Sequence, residues 1–203
     1  MEKNSAKRYV LIKIFKNIKY LFVDSTILND EKHQNMLIKW IEETEEIPKQ
    51  ETKLIYKGTR DSFESYKFHE HCDNKLNAIL LIKANNFIFG GFTSISWHIE
   101  GKYGDWKDDP KSFIFSISNP SNQPIKFKYN NNGFSIYSSN HFGPIFGRDI
   151  FISNNSNQNE ESYSNLGYSF EGCTFKNGTK ESKEFLCGSF KFKVQEIEVF
   201  QLF

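Results

Sequence analysis

Short apolar runs separated by turn residues occupy the chain from Leu76 to its C-terminus. Eight such runs are rich in aromatic and β-branched residues, with Asn, Gly, Pro, Ser or Asp between them. Runs of this kind, spaced at roughly ten residues, are typical of the antiparallel strands of a sandwich or barrel. In the last run, Phe190, Phe192 and Val194 alternate with polar residues and are predicted to share one face. The pattern therefore predicts a mainly β fold.

Apolar residues at helical spacing precede these runs. Ser25 or Asp30 is suited to cap a helix that ends before Pro48, with an apolar face made of Met36, Leu37, Trp40 and Ile41. The pattern of residues Thr52–Gly58 predicts a short buried strand. The next segment predicts a turn and a helix, whose inward-facing residues would be Phe63, Tyr66 and either Phe68 or His69.

The N-terminal segment is basic and has an apolar spacing of its own. Residues 1–20 contain six cations against Glu2 alone, a net charge of +5. A basic amphipathic helix can lie on a membrane surface or dock into a groove. The alternatives are a helix that packs on its own domain and the end of a coiled coil in a longer ancestor. We expect residues 1–24 to form this segment, with peripheral membrane contact as one role, and residues 25–203 to form one domain.

Composition narrows the function classes. The 203 residues suit one domain whose core needs neither disulfides nor a metal, and the formal charge of +1 gives no indication of a nucleic-acid partner. Three cysteines without a CxxC pair favour a reducing compartment over a secreted disulfide framework. No apolar run reaches the roughly 18 residues of a membrane span. We expect a cytoplasmic protein, with the nucleus or the periphery of acidic organelles as alternatives.

The densest cluster of potential metal ligands comprises His69, His71, Cys72 and Asp73. A zinc site usually needs two well-separated ligand pairs that converge tetrahedrally, and the remaining histidines are scattered singly. We therefore expect no metal, and we expect His69 and Cys72 to pack on a helix face. A catalytic role for a cysteine would need a nearby activating base, and no nucleophile motif accompanies any of the three.

Paired charges near the C-terminus and two arginines are further candidates. Glu196 and Glu198 lie two positions apart on a predicted strand and so share one face. They could serve acid–base chemistry, but a solvated face, or salt bridges with Arg60 or Arg148, is the interpretation we favour. Each arginine precedes an aspartate, so we expect both to anchor loops through bidentate pairing.

The glycine pair Gly90–Gly91 lies inside an aromatic strand. It lacks the residues of a phosphate-binding loop or a dinucleotide fingerprint. A glycine pair in a strand more often marks a bulge or a close backbone approach. We expect Trp97 to fill the core beside it and Trp106 to belong to the following loop.

Several sequence blocks, taken in order, resemble the TLDc domain family. The closest likeness is in "FGGFTSISW", which is similar to the Gly-Gly-aromatic-Thr-Ser-x-x-Trp strand of that family. Ser62 departs from the pattern, since the family usually has glycine there. The blocks that carry the resemblance are Leu54–Phe63, Phe68–Lys75, Phe89–Trp97, Asp109–Asn119, Gly143–Ile152, Ser162–Phe170 and Phe190–Leu202.

The resemblance implies a sandwich of two antiparallel sheets with a few peripheral helices, and a role in protection against oxidative stress. It also implies binding to the vacuolar-type proton ATPase, whose assembly several members regulate, and no agreed catalytic centre or cofactor. The signature positions that it implies are Arg60, Asp61, Phe63, His69, Gly90, Gly91, Trp97, Gly143, Pro144, Gly147, Asp149, Ser164, Gly167, Glu196 and Glu198.

Two other functions stay open at this stage. One is a weak redox enzyme or peroxide scavenger that uses Cys72, Cys173, Cys187 or the paired glutamates. The other is an adaptor in which residues 1–24 bind nucleic acid or anionic lipid. Over both alternatives, we favour a non-enzymatic protein that acts through protein–protein contact.

Overall fold

The two predicted sheets are present and pack face to face. The computed structural model describes residues 21–45, 51–99, 101 and 103–203, and within these residues every strand pair is antiparallel. Short helices lie outside the sheets. The prediction of a mainly β, two-sheet sandwich with a few peripheral helices is confirmed.

The helices and strands have the following bounds. The helices are α1 (Glu31–Glu45), α2 (Gly58–Asp61), α3 (Ser65–Cys72) and α4 (Lys180–Glu184). The strands are β1 (Thr52–Lys57), β2 (Ala78–Ala84), β3 (Phe87–Thr93), β4 (Asp105–Lys107), β5 (Phe113–Ser118), β6 (Ile125–Tyr129), β7 (Ile136–Ser138), β8 (Ile145–Phe146), β9 (Ile150–Phe151), β10 (Ser162–Ser164), β11 (Phe170–Glu171), β12 (Lys191–Phe192) and β13 (Val194–Leu202).

The strands form a larger and a smaller sheet. The seven-stranded sheet has the order β1-β13-β2-β3-β5-β6-β11, and the six-stranded sheet has the order β12-β10-β9-β8-β7-β4. The long strands β2, β3 and β13 lie in the larger sheet, and most of their residues are buried on both faces of that sheet. The smaller sheet is built from strands of two or three residues.

Both faces of the larger sheet are covered. Leu80 and Ile82 of β2 point into the core between the sheets. Their neighbours Ile79 and Leu81 point the other way, into a second apolar cluster that includes α1 and the chain before it. Alternation along one strand therefore supplies two separate cores.

The helix predicted before Pro48 is α1, and Asp30 caps it. The Asp30 carboxylate accepts a hydrogen bond from the His33 backbone N–H at 3.0 Å. Leu37 and Ile41 are buried in the second cluster, as predicted. The basic helix predicted within residues 1–24 falls almost wholly outside the described residues. Leu21 and Phe22, at its end, pack into the second cluster.

The glycine pair allows a close approach, as predicted. A Cβ at Gly90 would lie 1.9 Å from the Leu80 carbonyl oxygen, and one at Gly91 would lie 2.7 Å from the ring of Phe146 in the smaller sheet. Trp97 is fully buried beside this contact, with its ring centroid 5.7 Å from that of Phe146. The prediction that Trp97 fills the core is confirmed.

Two predictions for the aromatic strands are wrong. Trp106 lies in β4, an edge strand, and not in a loop. The last apolar run is not one strand, because the chain leaves the smaller sheet after β12 and enters the larger sheet at β13. Phe190 precedes this crossing and is 38% exposed, whereas Phe192 and Val194 are buried. Phe190 therefore does not share the buried side of Phe192 and Val194, which both lie in the core between the sheets.

Two predictions nearer the N-terminus also need correction. In β1 only Tyr56 is buried, because β1 is the edge strand of the larger sheet. The helix predicted after it is α3, in which Phe68 and His69 face inward. Tyr66 is 54% exposed, since it lies on the opposite side of α3 from Phe68.

Ser62, the departure from the TLDc pattern, occupies a backbone conformation that favours glycine. Its φ is +90° and its ψ is 150°, a region that is costly for any residue with a Cβ. The Ser62 hydroxyl offsets part of this cost, because it accepts a hydrogen bond from the Glu64 N–H at 3.3 Å. Glycine at this position of the family pattern therefore has a physical reason.

Replacing Ser62 with glycine should stabilise the protein. The substitution removes the strained Cβ, so we expect Ser62→Gly to raise the free energy of unfolding by about 1 kcal/mol. The control is Ser62→Ala, which keeps the strain, loses the hydroxyl and should lower stability. Urea unfolding of the three proteins measures both changes. Equal loss of stability in the two variants would contradict the strain argument.

Candidate functional site

Glu196 and Glu198 share the outer face of β13, but this face is not solvated. Glu196 is only 8% exposed, and Glu198 is fully buried. The prediction of a solvated face is wrong because α2 and residues 22–28 lie over this part of the sheet. A buried carboxylate is costly unless it is paired and hydrogen-bonded, so its partners define what the pair does.

Glu198 binds the chain that precedes α1. Its carboxylate accepts hydrogen bonds from the Ser25 hydroxyl at 2.5 Å, from the Thr26 N–H at 2.8 Å and from the Thr26 hydroxyl at 2.7 Å. The Lys57 ammonium lies 3.3 Å from the same carboxylate. Lys57 is the direct cross-strand partner of Glu198 in the β1–β13 pair.

Glu196 binds the start of α2. It accepts hydrogen bonds from the N–H of Thr59 at 3.0 Å and from the hydroxyl of the same residue. Its second oxygen lies 4.0 Å from the Lys57 ammonium. The salt bridges predicted with Arg60 or Arg148 are therefore wrong, since Lys57 is the cation between the two glutamates. With these partners, the pair holds two chain segments on the sheet.

The two Arg-Asp dipeptides behave differently. Arg60 pairs with Asp61 through two hydrogen bonds of 2.8 and 2.7 Å, as predicted, and this pairing lowers the pKa of the Asp61 carboxyl. Arg148 does not pair with Asp149, so the prediction is wrong there. Its guanidinium lies over the rings of Tyr168 and Phe134, at 4.8 and 5.8 Å from their centroids.

Asp149 is turned inward instead and binds a backbone loop. It accepts hydrogen bonds from the N–H groups of Gly167 at 2.6 Å, Tyr168 at 3.0 Å and Ser169 at 2.7 Å. Burial raises its pKa to about 6, and the three amides oppose the shift only in part. Gly147, with φ +54°, reverses the chain just before it.

The His69–Asp73 cluster packs as predicted. His69 and Cys72 are buried, and the two imidazole nitrogens lie 2.8 Å from the Asp73 carboxylate and 2.9 Å from the Ser139 carbonyl oxygen. His69 thus ties α3 to the chain around Ser139. Within the described part of the chain, no three His, Cys, Asp or Glu side chains are arranged to hold a metal ion.

The thiols lie in surroundings that disfavour the reactive thiolate. Cys72 and Cys187 are buried, and Cys173 is partly buried in a depression of about 280 Å³ beside Phe127 and Phe170. Burial raises the pKa of all three. A raised pKa lowers the thiolate fraction and with it the reactivity toward peroxide.

The remaining signature positions are structural in their contacts. Phe63 packs on Gly58 and on the core, and the Gly143 N–H donates to the Ile152 carbonyl at 3.0 Å. Pro144 is buried next to it. The Ser164 hydroxyl donates to the Lys183 carbonyl at 3.0 Å and so connects β10 to α4.

The outer face of the smaller sheet carries a row of mostly aromatic side chains that the sequence did not predict. Cross-strand pairing aligns Trp106 of β4 with Tyr137, Tyr137 with Ile145, Ile145 with Phe151, and Phe151 with Tyr163. The ring centroids of Trp106 and Tyr137 are 4.8 Å apart, and those of Phe151 and Tyr163 are 4.9 Å apart and stacked. We call this row and Phe190, which contacts Tyr163 at 5.7 Å, the aromatic face.

The aromatic face is concave and partly open. A depression of about 350 Å³ lies along it, lined by rings of the row, Phe142 and Arg148. Trp106 and Phe190, at its two ends, are 37% and 38% exposed. Partly exposed aromatic rings around a depression are the usual composition of a binding surface.

The fold and these surfaces define a β-sandwich whose buried charges hold the chain together and whose smaller sheet presents an aromatic surface. The chain belongs to the TLDc domain family, because the model of the TLDc domain matches residues 21–203. The match begins four residues before the domain boundary expected from the sequence. Among curated proteins, no match to the chain is found. No helix in the described ranges is both long and apolar enough to cross a membrane.

Removing the Glu198 carboxylate should release the chain before α1. Glu198→Ala leaves Ser25 and Thr26 without their acceptor and Lys57 without its closest carboxylate, so we expect a loss of about 3 kcal/mol in unfolding free energy. Amide hydrogen exchange should accelerate first at Thr26. The matched control is Glu196→Ala, which should accelerate exchange at Thr59 instead. Identical exchange patterns in the two variants would contradict this division of roles.

Asp149 should make stability depend on pH. Its pKa is about 6 in the folded protein against 3.8 for the free group, so the folded state binds the proton more tightly. The resulting stabilisation is fully present below about pH 4 and is lost as the pH rises through 6. Relative to Asp149→Asn, the wild type should lose about 3 kcal/mol between these limits. Urea unfolding across this pH range measures the difference, and a constant difference would overturn the assignment.

Proposed function

We propose that this chain protects against oxidative stress by non-catalytic contact with a partner protein, and that the partner is the vacuolar-type proton ATPase. Membership of the TLDc family supports the role in oxidative stress, and its resemblance to members that bind the pump supports the partner. The contact surface we propose is the aromatic face. The protein would act in the cytoplasm, where the pump exposes its soluble subunits.

The observation that carries the proposal is the open aromatic face on the smaller sheet. Aromatic side chains are enriched at the centres of protein interfaces, where they contribute most of the binding energy. By contrast, the paired glutamates are engaged with Thr26, Thr59 and Lys57. The raised pKa of each thiol also favours contact over thiol chemistry.

Binding to purified pump subunits tests the partner. The full chain is immobilised and incubated with the soluble subunits at low and at physiological salt. We expect capture under both conditions, and we expect Trp106→Ser to weaken it at least about tenfold, as for an aromatic hot-spot residue. The control Tyr66→Ser removes a similarly exposed aromatic residue from α3 and should leave capture unchanged.

Survival of cells under peroxide tests the role. Cells that carry Trp106→Ser should lose protection, and cells that carry Tyr66→Ser should keep it. A variant with Cys72, Cys173 and Cys187 replaced by alanine should also protect if it is folded, as its circular dichroism spectrum can show. Protection lost with the cysteines but kept with Trp106→Ser would favour a thiol scavenger over the proposed contact.

A further inference from the structure

We propose that the aromatic face binds an extended, acidic segment of a partner protein, with Arg148 and Lys191 as the groups that select its carboxylates. This inference rests on the proposed function, because it names the chemistry of the partner segment that the contact surface recognises. The pairing register of the smaller sheet and the positions of its cations support it.

The outer faces of the two sheets differ in their cover. The larger sheet buries its outer face under α1 and residues 21–28, which contribute Phe22, Leu28 and Leu37 to the second cluster. On the smaller sheet, the aromatic row remains partly exposed along a depression of about 350 Å³. No element among the described residues fills that depression, so an external chain can lie in it.

The register of the sheet makes the row continuous. Five successive paired positions run from Trp106 to Tyr163, and the next pair joins Tyr163 to Lys191 of β12. Because neighbouring strands lie about 4.8 Å apart, six strands give a row roughly 24 Å long. An extended segment of about seven residues has this length. The surface therefore matches an extended chain that crosses the strands.

Two cations stand at the border of the row. Lys191 is exposed and shares the outward side with its paired residue Tyr163. Arg148 is exposed in the β8–β9 turn and lines the depression. Neither forms an ion pair with any carboxylate in the described part of the chain. The row itself contains no acidic residue, and the exposed Glu161, two positions before Tyr163, is outnumbered by these two cations. The charges at its border therefore favour a negatively charged occupant.

Arg148 is held in a position that leaves its hydrogen-bond donors available. Its guanidinium lies over the ring of Tyr168, with its central carbon 4.8 Å from the ring centroid, and it donates to no described residue. This contact leaves the guanidinium N–H groups available, and a guanidinium can bind a carboxylate through two hydrogen bonds. A third cation, Lys183, lies 5.1 Å from the ring of Phe190.

Single-stranded nucleic acid is the rival occupant, because it also combines aromatic stacking with cations. Each nucleotide brings a phosphate, so a strand along the row would need a longer series of cations than this face presents. The formal charge of the chain is only +1. An acidic protein segment, with carboxylates flanking apolar side chains, matches three cations around an aromatic row better.

Fluorescence anisotropy with defined probes tests the inference. The first probe is an unstructured peptide that alternates glutamate with leucine and proline; the second has glutamine in place of every glutamate, and the third is a uridine oligonucleotide. We expect the full chain to bind the acidic peptide most tightly. Arg148→Gln and Lys191→Gln should each weaken this binding about tenfold, the loss of one charge-assisted hydrogen bond. The control Lys39→Gln removes an exposed lysine from α1 and should have no effect.

Three results of the anisotropy experiment would contradict the inference. Equal binding of the acidic and glutamine peptides would overturn the selection of carboxylates. Tighter binding of the oligonucleotide would assign the face to nucleic acid, and no binding of any probe would overturn the binding site itself.

A wild-type NMR titration with the acidic peptide, which needs no variant, should shift the signals of Tyr137, Phe151 and Tyr163. Capture of pump subunits that depends on Trp106 but not on Arg148 or Lys191 would overturn this inference and leave the proposed function standing. Binding of the acidic peptide without capture of the pump would overturn the proposed function and leave this inference standing.

Discussion

The two sheets meet where Gly91 leaves room for the ring of Phe146, and this contact divides the aromatic residues of the chain into two sets. A side chain at Gly91 would overlap that ring, so the spacing of the sheets depends on its absence. Trp97 and Phe68 pack around the contact, with ring centroids 5.3 Å apart. Rings that point toward it become core. Those on the opposite side of the smaller sheet, Tyr137, Phe151 and Tyr163, cannot reach the core and form a surface.

The asymmetry between the sheets follows from what covers each one. On the larger sheet, the buried carboxylates of Glu196 and Glu198 hold residues 25–26 and 59 in place, and Lys57 balances part of their charge. Buried ion pairs add little net stability, but the loss of one partner is strongly destabilising. Here they fix the chain that closes the outer face. Among the described residues, no comparable pair of buried carboxylates holds a chain segment over the smaller sheet. Its outer face is therefore available for contact.

Local patterns in the sequence were enough to predict the elements with long or distinctive signals. The strands β2 and β3 and the Asp30 cap depend on neighbouring residues alone. The glycine pair predicted a close approach, but not that Phe146 of the other sheet would be the residue that approaches Gly91. The surroundings of Glu198 could not be predicted, because its partner Thr26 lies 172 positions away. The two Arg-Asp dipeptides look alike in sequence, yet the turn at Gly147 sends Asp149 inward and leaves Arg148 on the surface.

The aromatic face could not be predicted from the sequence for a related reason. Strands β4, β8 and β9 are two or three residues long, too short for an alternating pattern to be recognised. Aromatic residues spread between positions 106 and 190 become neighbours only through cross-strand pairing. The same pairing places Lys191 beside Tyr163, although the overall charge of the chain is close to zero. Affinity for an acidic partner can therefore arise from one face of a nearly neutral protein, because screening in physiological salt limits each charge to its own neighbourhood of about 8 Å.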